Sequence, residues 1–194
     1  MSIEAAFLEH QQVFEASFST LIAPLRRGVE LVASCLAKGG KVLICGNGGS
    51  AANAEHFAAE LLGRMECDRH PLPAMALSAN TSAVTSIAND FGYEQVFCRQ
   101  IKGVATREDI LIALSASGNS PNIVAAVREA VAIGCPTIGL TGEGGGKIGP
   151  LVNVLLAVPS ARTTRVQEIH ALCLHALAEA VEEQIENLFR PKIV

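Results

Sequence analysis

The stretch KVLICGNGGSAANAEHF at residues 41–57 places a short apolar run directly before a glycine-rich turn. The run KVLIC has the length and composition of a buried β-strand. Gly46, Gly48 and Gly49 flank Asn47 and permit positive φ and close approach of a ligand to the backbone. Ser50 is a natural N-cap, and free N–H groups at a helix N-terminus favour an anion. The stretch therefore predicts a strand, a turn and a helix to about Arg64, with either an anion site or a plain connection at the turn.

A second stretch, DILIALSASGNSP at residues 109–121, repeats this plan. Ser115, Ser117 and Ser120 place three hydroxyls around Gly118, and Pro121 suits the first turn of a helix. Hydroxyls with backbone donors suit a phosphate that is bound and released, and the turn has no adjacent Lys or metal-binding carboxylate to stabilise phosphoryl transfer. Two such turns on one sheet favour a phosphate site at the carboxyl ends of the strands.

Outward from these turns, strands and helices continue to alternate. Further strands are predicted at PAMALS (73–78), PTIGLTG (136–142) and NVLLAVP (153–159), with helices at 121–133 and from about Thr163 to Leu188. Residues 3–38 have helical spacing, and Pro24 is expected to divide them into two helices. This order predicts a three-layer α/β/α sandwich with a five-stranded parallel sheet and right-handed crossovers. We expect one domain over residues 1–194, with N-terminal helices at 1–38 and the sheet core and last helix at 39–194.

The composition and charge of the chain argue against some classes of function, above all nucleic-acid binding. The chain has 194 residues, a net charge of −4 and no basic run except Arg26-Arg27, so direct nucleic-acid binding is not expected. Eight Phe and Tyr residues and no Trp provide few stacking platforms for single strands. A composition that is 49% hydrophobic and 18% charged suggests helices that are apolar on more than one face. Either a doubly covered parallel sheet or an oligomer interface, to which the N-terminal helices would contribute, would use them.

The same composition predicts a cytoplasmic protein. Six cysteines are scattered without a CxxC pair, and Cys35, Cys45, Cys135 and Cys173 lie in apolar stretches, as buried reduced thiols do. The N-terminus contains Glu4 and no apolar core of a signal peptide. No uncharged apolar run approaches the roughly 20 residues of a membrane helix.

Two helices carry residues suited to acid–base or metal chemistry. His56 and Glu60 are four apart and share a helix face, although a solvated surface pair is the simpler interpretation. Gln167 and His175 lie roughly 80° apart on the last helix and so can converge on one cavity. His175 lies in an apolar stretch and is either a satisfied core histidine, a buried acid/base or a metal ligand. His170 is expected at an interface or the surface.

Several ordered segments resemble a known family. These are CGNGGSAANAEHFAAELLGR, SIANDFGYEQVF, ALSASGNSPNIV, GLTGEGGGKIG and TRVQEIHALCLHAL. Together they resemble the sugar isomerase (SIS) domain, a flavodoxin-like fold, and more narrowly the bacterial phosphoheptose isomerases. The resemblance covers nearly the whole chain.

The resemblance implies an aldose–ketose isomerase. It would convert sedoheptulose 7-phosphate to D-glycero-D-manno-heptose 7-phosphate in ADP-heptose and lipopolysaccharide core biosynthesis. The family implies a homotetramer with a zinc ion in each site. Movement of a proton between C1 and C2 through an enediol needs an acid and a base, and Glu60 and His175 are the candidates, in either assignment.

The resemblance also assigns site residues. The expected substrate contacts are Asn47, Gly48, Gly49, Ser50, Glu60, Asn89, Asp90, Ser115, Ala116, Ser117, Ser120 and Gln167. The expected zinc ligands are His56, Glu60, Gln167 and His175, a donor set of nitrogen and oxygen. For Asp90, a position in a helix end and turn is the alternative.

The chain departs from the family at two positions. Ala116 stands where a threonine is common and removes one hydroxyl from the second turn, and Thr164 stands where some members have aspartate. The main alternative function is a non-catalytic SIS adaptor that binds the replication initiator protein. Glu60 and His175 favour the enzyme, because such adaptors lack both. A sugar-phosphate-sensing transcription factor would need an additional helix-turn-helix domain.

Overall fold

The computed structural model describes residues 2–189, in which strands and helices alternate along the chain. The helices are α1 (Ile3–Ala37), α2 (Gly49–Leu62), α3 (Thr81–Phe91), α4 (Val96–Val104), α5 (Pro121–Ile133) and α6 (Thr163–Phe189). The strands are β1 (Val42–Cys45), β2 (Ala74–Ala76), β3 (Ile110–Ser115), β4 (Thr137–Thr141) and β5 (Val154–Ala157). Short 3₁₀ helices lie at Tyr93–Gln95 and Gly149–Leu151.

The five strands form one parallel sheet in the order β2-β1-β3-β4-β5. Every residue of β1, β3 and β4 is buried, as expected when helices cover both faces of a parallel sheet. One apolar cluster joins the sheet to α1, α2 and α6, and a second joins it to α4 and α5. The predicted three-layer α/β/α sandwich is confirmed.

The strand order reverses direction between β1 and β3. The helix that follows β1 packs with Phe57 in the first apolar cluster, and the helix that follows β3 packs with Ile123 in the second. Because the two connections leave to opposite faces, a crevice opens between the carboxyl ends of these strands. This topological switch point is where doubly wound sheets bind their ligands, and both glycine/serine turns lie there.

The predicted division of the N-terminal helix at Pro24 is wrong. Helix α1 is continuous and includes Pro24 in its interior. A proline in this position removes one backbone hydrogen bond. Buried residues on both sides of it, among them Leu21 and Val32, anchor α1 against α6 and β5. Packing along the whole helix therefore outweighs the local cost.

His170 is not at the surface, contrary to the expectation from sequence. Its side chain is completely buried, and Nε2 lies 3.1 Å from the carbonyl oxygen of Thr141 at the end of β4. Burial lowers the pKa of His170 to about 4, and the hydrogen bond with Thr141 offsets this only partly. The apolar residues around it on α6 face the sheet, so this position is directed inward with them.

We expect the buried His170 to make the fold acid-sensitive. The unfolded chain binds a proton near pH 6.5 but the folded chain only near pH 4, so stability is present above pH 6.5 and is lost as the pH falls towards 4. Between pH 7 and pH 5 this group alone removes about 2 kcal/mol of unfolding free energy. Urea denaturation of the wild type and His170→Gln at both pH values measures the effect. An equal loss in both proteins would contradict the assignment.

The expectation of buried thiols is confirmed for Cys35, Cys45, Cys135 and Cys173. Burial raises the pKa of Cys45 to about 12, so this thiol stays protonated and unreactive. Within residues 2–189, no helix combines the length and apolar character needed to cross a bilayer.

Candidate active site

The first turn connects β1 to α2 through a left-handed glycine. Gly48 has a φ of +55° and precedes the helix, which begins at Gly49. The expectation that Ser50 caps this helix is wrong, because Ser50 is buried inside the first helical turn. Gly48 occupies the N-cap, and no side chain caps the helix. The backbone at the N-terminal end of α2 therefore faces the switch-point crevice.

The second turn is a compact loop of hydroxyls. Ser115 Oγ donates to Ser120 Oγ over 3.1 Å, and Ser117 Oγ accepts from the backbone N–H of Asn119 at the same distance. Gly118 has a φ of +65°, and a Cβ on it would lie 2.2 Å from the carbonyl oxygen of Gly145. Glycine is thus required where this turn packs against the chain after β4. The N-cap of α5, Ser120, makes no side-chain capping bond.

A network of amides, which sequence reasoning missed, joins the two turns. Asn47 and Asn122 exchange two side-chain hydrogen bonds of 2.9 Å each. Tyr93 Oη also donates to Asn47 Oδ1 over 3.0 Å. Asn122 is buried at the start of α5, and its position directly after the Ser-turn and Pro121 was the signal available in the sequence. Tyr93 is the only tyrosine in the chain.

Three predicted substrate contacts, all within the described residues, make no hydrogen bond to this network. Asn89 and Asp90 are exposed near the C-terminal end of α3, where Asn89 Nδ2 donates to Asp90 Oδ1 over 2.8 Å. Ala116 is partly buried and packs on the first apolar cluster, while its carbonyl accepts from the N–H of Gly142. Substrate contacts for these three residues stay predictions.

Helices α2 and α6 bring His56, Glu60 and His175 into one cluster. The two imidazole Nε2 atoms lie 3.1 Å apart, and Glu60 Oε1 is 3.1 Å from that of His56 and 3.2 Å from that of His175. Glu60 is the most enclosed, with a side chain 11% exposed, against 63% for His56 and 41% for His175. Its other oxygen, Oε2, is buried and has no hydrogen-bond partner. We refer to these residues as the His–Glu–His cluster.

The spacing of this cluster suits a metal ion. Ligand atoms bound tetrahedrally at about 2.0–2.1 Å from zinc lie roughly 3.3 Å from one another. The three contributed atoms lie within 3.1–3.2 Å of one another, close to that separation. Within residues 2–189 this is the group of His, Cys, Asp and Glu side chains that meets the spacing of a metal site.

Gln167 lies near the N-terminal ends of α2 and α6. Its carboxamide packs over Gly49, where an added Cβ would lie 2.7 Å from Oε1 and 2.9 Å from Nε2. Its backbone carbonyl accepts from Asn53 Nδ2 over 3.3 Å, one turn of α2 before His56. Gln167 thus connects the first turn to the neighbourhood of the cluster, and its place among the metal ligands stays a prediction.

Comparison with known proteins defines the class and then the particular group. The family model of the SIS domain matches residues 7–142. Phosphoheptose isomerase from Helicobacter pylori (strain P12) is 47% identical over 185 residues, which cover 95% of this chain and 96% of that protein. The chain belongs to the SIS domain family and, within it, to the phosphoheptose isomerases.

Solved structures agree with this placement. The phosphoheptose isomerase from Neisseria gonorrhoeae superposes with a TM-score of 0.88 at 42% identity, covering 93% of this chain and 97% of that one. The enzyme of that name from Francisella tularensis gives a TM-score of 0.90 at 35% identity, covering 93% and 96%.

Proposed function

We propose that the chain interconverts sedoheptulose 7-phosphate and D-glycero-D-manno-heptose 7-phosphate as an aldose–ketose isomerase. The reaction supplies ADP-heptose for the lipopolysaccharide core. The observation that carries this proposal is the His–Glu–His cluster, held between α2 and α6. A non-catalytic adaptor has no need of such a cluster, and the similarity to phosphoheptose isomerases extends over both helices.

The two turns would hold the phosphate end of the sugar. Ser115, Ser117 and Ser120 offer hydroxyls beside the uncapped start of α5, and Gly48 and Gly49 offer backbone at the start of α2. Helix N-termini attract anions through their free N–H groups and dipole. The remaining predicted contacts, from Asn47, Ser50, Ala116, Gln167, Asn89 and Asp90, would surround the sugar. Anchored in this way, the sugar would direct its carbonyl end towards α2 and α6.

Glu60 and His175 are assigned the proton transfers. The carboxylate of Glu60 would take the proton from one carbon and deliver it to the other, because an ionised carboxylate is a proton acceptor. His175 would protonate the sugar oxygen as the enediol forms, a role that its Nε2 atom, 3.2 Å from Glu60 Oε1, can fill only while it is not bound to metal, because a metal-bound imidazole nitrogen has no proton to donate. Glu60 would then deliver its proton to the neighbouring carbon, and His175 would recover a proton from the neighbouring hydroxyl, which completes the isomerisation.

The His–Glu–His cluster and Gln167 would hold the zinc ion that the family implies. The fit rests on the mutual spacing of the three ligand atoms and on a nitrogen and oxygen donor set. When bound there, zinc would polarise the sugar carbonyl and stabilise negative charge on its oxygen. The residues of the chain would orient the sugar and move its protons.

The activity is tested directly by incubating the purified chain, supplied with zinc, with sedoheptulose 7-phosphate. We expect the aldose product to accumulate to an equilibrium mixture, followed by NMR of the anomeric protons. Absence of conversion by a folded, zinc-supplied protein would refute the isomerase and favour the adaptor. Fructose 6-phosphate serves as a comparison substrate with the same phosphate and a shorter sugar.

Removal of one histidine ligand should weaken zinc binding. We expect His56→Ala to retain less than about a tenth of the zinc of the wild type after dialysis, because a site with one ligand fewer binds much more weakly. Elemental analysis measures the metal content. His70→Ala is the matched control, since His70 is an exposed histidine whose ring contacts the carbonyl of Pro71. Equal zinc content in both variants, or none in the wild type after reconstitution, would contradict the metal assignment.

Assembly into a homotetramer in the cytoplasm completes the proposal. Helix α1 leaves large apolar side chains exposed at one end, including Phe7 at 75% and Phe18 at 67%. Helix α3, which carries Asn89 and Asp90, has no buried residue within the described chain. Apolar surface of this kind favours burial against further copies, with active sites near the subunit interfaces. Buried thiols support a reducing compartment.

A further inference from the structure

Helices α2 and α6 are joined at a second place, beyond the C-terminal end of α2. Residues 63–73 connect α2 to β2, and Arg69 of this segment meets Glu182 of α6. Arg69 Nε lies 2.7 Å from Glu182 Oε1, with side chains that are only 6% and 3% exposed. No pattern in the sequence indicates this ion pair, because its members are 113 positions apart.

Glu182 also binds the backbone of the connecting segment. Its carboxylate accepts hydrogen bonds from the N–H groups of Met65, Glu66 and Cys67 at 3.1, 2.8 and 2.9 Å. Burial raises the pKa of Glu182, but these three amides and Arg69 more than offset it, so the pKa is lowered. The carboxylate is thus charged, enclosed and fully engaged in fixing the segment onto α6.

Arg69 extends this fixation to the catalytic helix. Its Nη2 donates to the carbonyl oxygen of Glu60 over 2.9 Å, and its Nη1 donates to that of Leu61 at the same distance. The last carbonyls of a helix have no partner within the helix. Arg69 therefore satisfies two of them, one belonging to Glu60 itself.

We propose that Arg69 and Glu182 are positioning residues that hold the last turn of α2 against α6, so that Glu60 meets His175 at working distance. This inference rests on the proposed function, which gives Glu60 and His175 their roles. Glu182 follows His175 by seven residues, nearly two helical turns, so the pair and the cluster use the same side of α6. Neither Arg69 nor Glu182 needs to touch the sugar.

A second buried ion pair, between Lys41 and Asp109 just before β1 and β3, provides the control. Asp109, 3% exposed, binds Lys41 Nζ at 2.7 Å and accepts from the N–H groups of Lys41 and Thr106. Like Glu182, it is a buried carboxylate that engages one cation and the backbone of a loop. It lies at the amino-terminal edge of β1 and β3, away from α2 and α6. Loss of either carboxylate disturbs the loop that it binds. Only the loop bound by Glu182 is attached to α2, the helix that carries Glu60.

The test compares Arg69→Lys, Glu182→Gln and Asp109→Asn with the wild type, all confirmed as folded by circular dichroism. Lysine keeps a charge for Glu182, but its single ammonium does not reproduce the planar fork that binds the carboxylate and two carbonyls. Because displacement of a catalytic group by about 1 Å costs on the order of a hundredfold in rate, we expect kcat at least about tenfold lower in the first two. The KM of these two variants should stay within about threefold of the wild-type value. The kcat of the control, Asp109→Asn, should stay within about twofold of the wild-type value.

A second measurement needs no turnover. In protein labelled at histidine ¹³Cε1, the ring signals of His56 and His175 should move in Arg69→Lys and not in Asp109→Asn. The five histidines of the chain make assignment by substitution practical. If the wild type is inactive, the proposed function fails, and the ring signals still decide this inference. Wild-type kcat and unmoved ring signals in Arg69→Lys, or an equal loss of kcat in Asp109→Asn, would overturn it.

Discussion

Glu60→Gln is expected to lower kcat about a thousandfold while the fold is retained, since positioned acid–base groups contribute roughly 10²- to 10⁴-fold. Glutamine has nearly the shape of glutamate, but its amide does not take a proton from carbon. Turnover of sedoheptulose 7-phosphate measures the loss, and exchange of the C1 and C2 protons with ²H₂O locates it in the carbon proton transfer.

Glu55→Gln is the matched control for this substitution. Glu55 lies on the same helix but is exposed, and its carboxylate accepts from Ser78 Oγ over 2.9 Å. We expect its kcat within about twofold of wild type, as for most surface substitutions. Zinc analysis of Glu60→Gln separates the two roles of Glu60, because loss of proton exchange with retained metal identifies the base. Near-normal exchange in Glu60→Gln would remove Glu60 from the proton transfer.

His175→Gln is expected to lower kcat about a hundredfold, the lower range for an acid catalyst whose role water can partly replace. KM should change little, because the proposed phosphate site lies elsewhere, at the turns after β1 and β3. Steady-state kinetics with sedoheptulose 7-phosphate separates kcat from KM. His70→Gln replaces an exposed histidine outside the cluster and should leave both constants unchanged.

The double variant with Glu60→Gln gives a further check on this pair. Groups that act as a unit are non-additive, so the double variant should lose at most about tenfold beyond the more damaging single change. Losses that multiply fully would show two independent roles. Such a result would contradict the assignment of Glu60 and His175 to one proton-transfer step.

Much of the fold follows from local patterns in the sequence. Short apolar runs such as 42–45 and 110–115 are buried strands, and the glycine and serine turns after them mark the start of helices. Pro24 misled the prediction because its local cost is small beside the packing of a 35-residue helix. His170 misled it because only the tertiary structure supplies the carbonyl of Thr141.

The site was predictable where residues share a helix or a turn. His56 and Glu60 are four apart, and the serines of the second turn are adjacent, so spacing alone grouped them. The approach of His175 to Glu60 came from family resemblance, since two separate helices supply these residues. Asn122 was missed because its partner Asn47 is 75 positions away, and Arg69 because its partners on α2 are 8 and 9 positions away. Patterns of single residues contain no information on such pairing.

The reciprocal hydrogen bonds of Asn47 and Asn122 lock the two turns together before any ligand arrives. Ordering a flexible residue costs about 1–2 kcal/mol in backbone entropy, so a site already assembled spares that cost for each turn residue. A sugar phosphate bound there would lose its own conformational freedom without also having to order the two turns. The binding free energy thereby saved remains for bending the open-chain sugar towards the enediol, which raises the rate rather than the affinity.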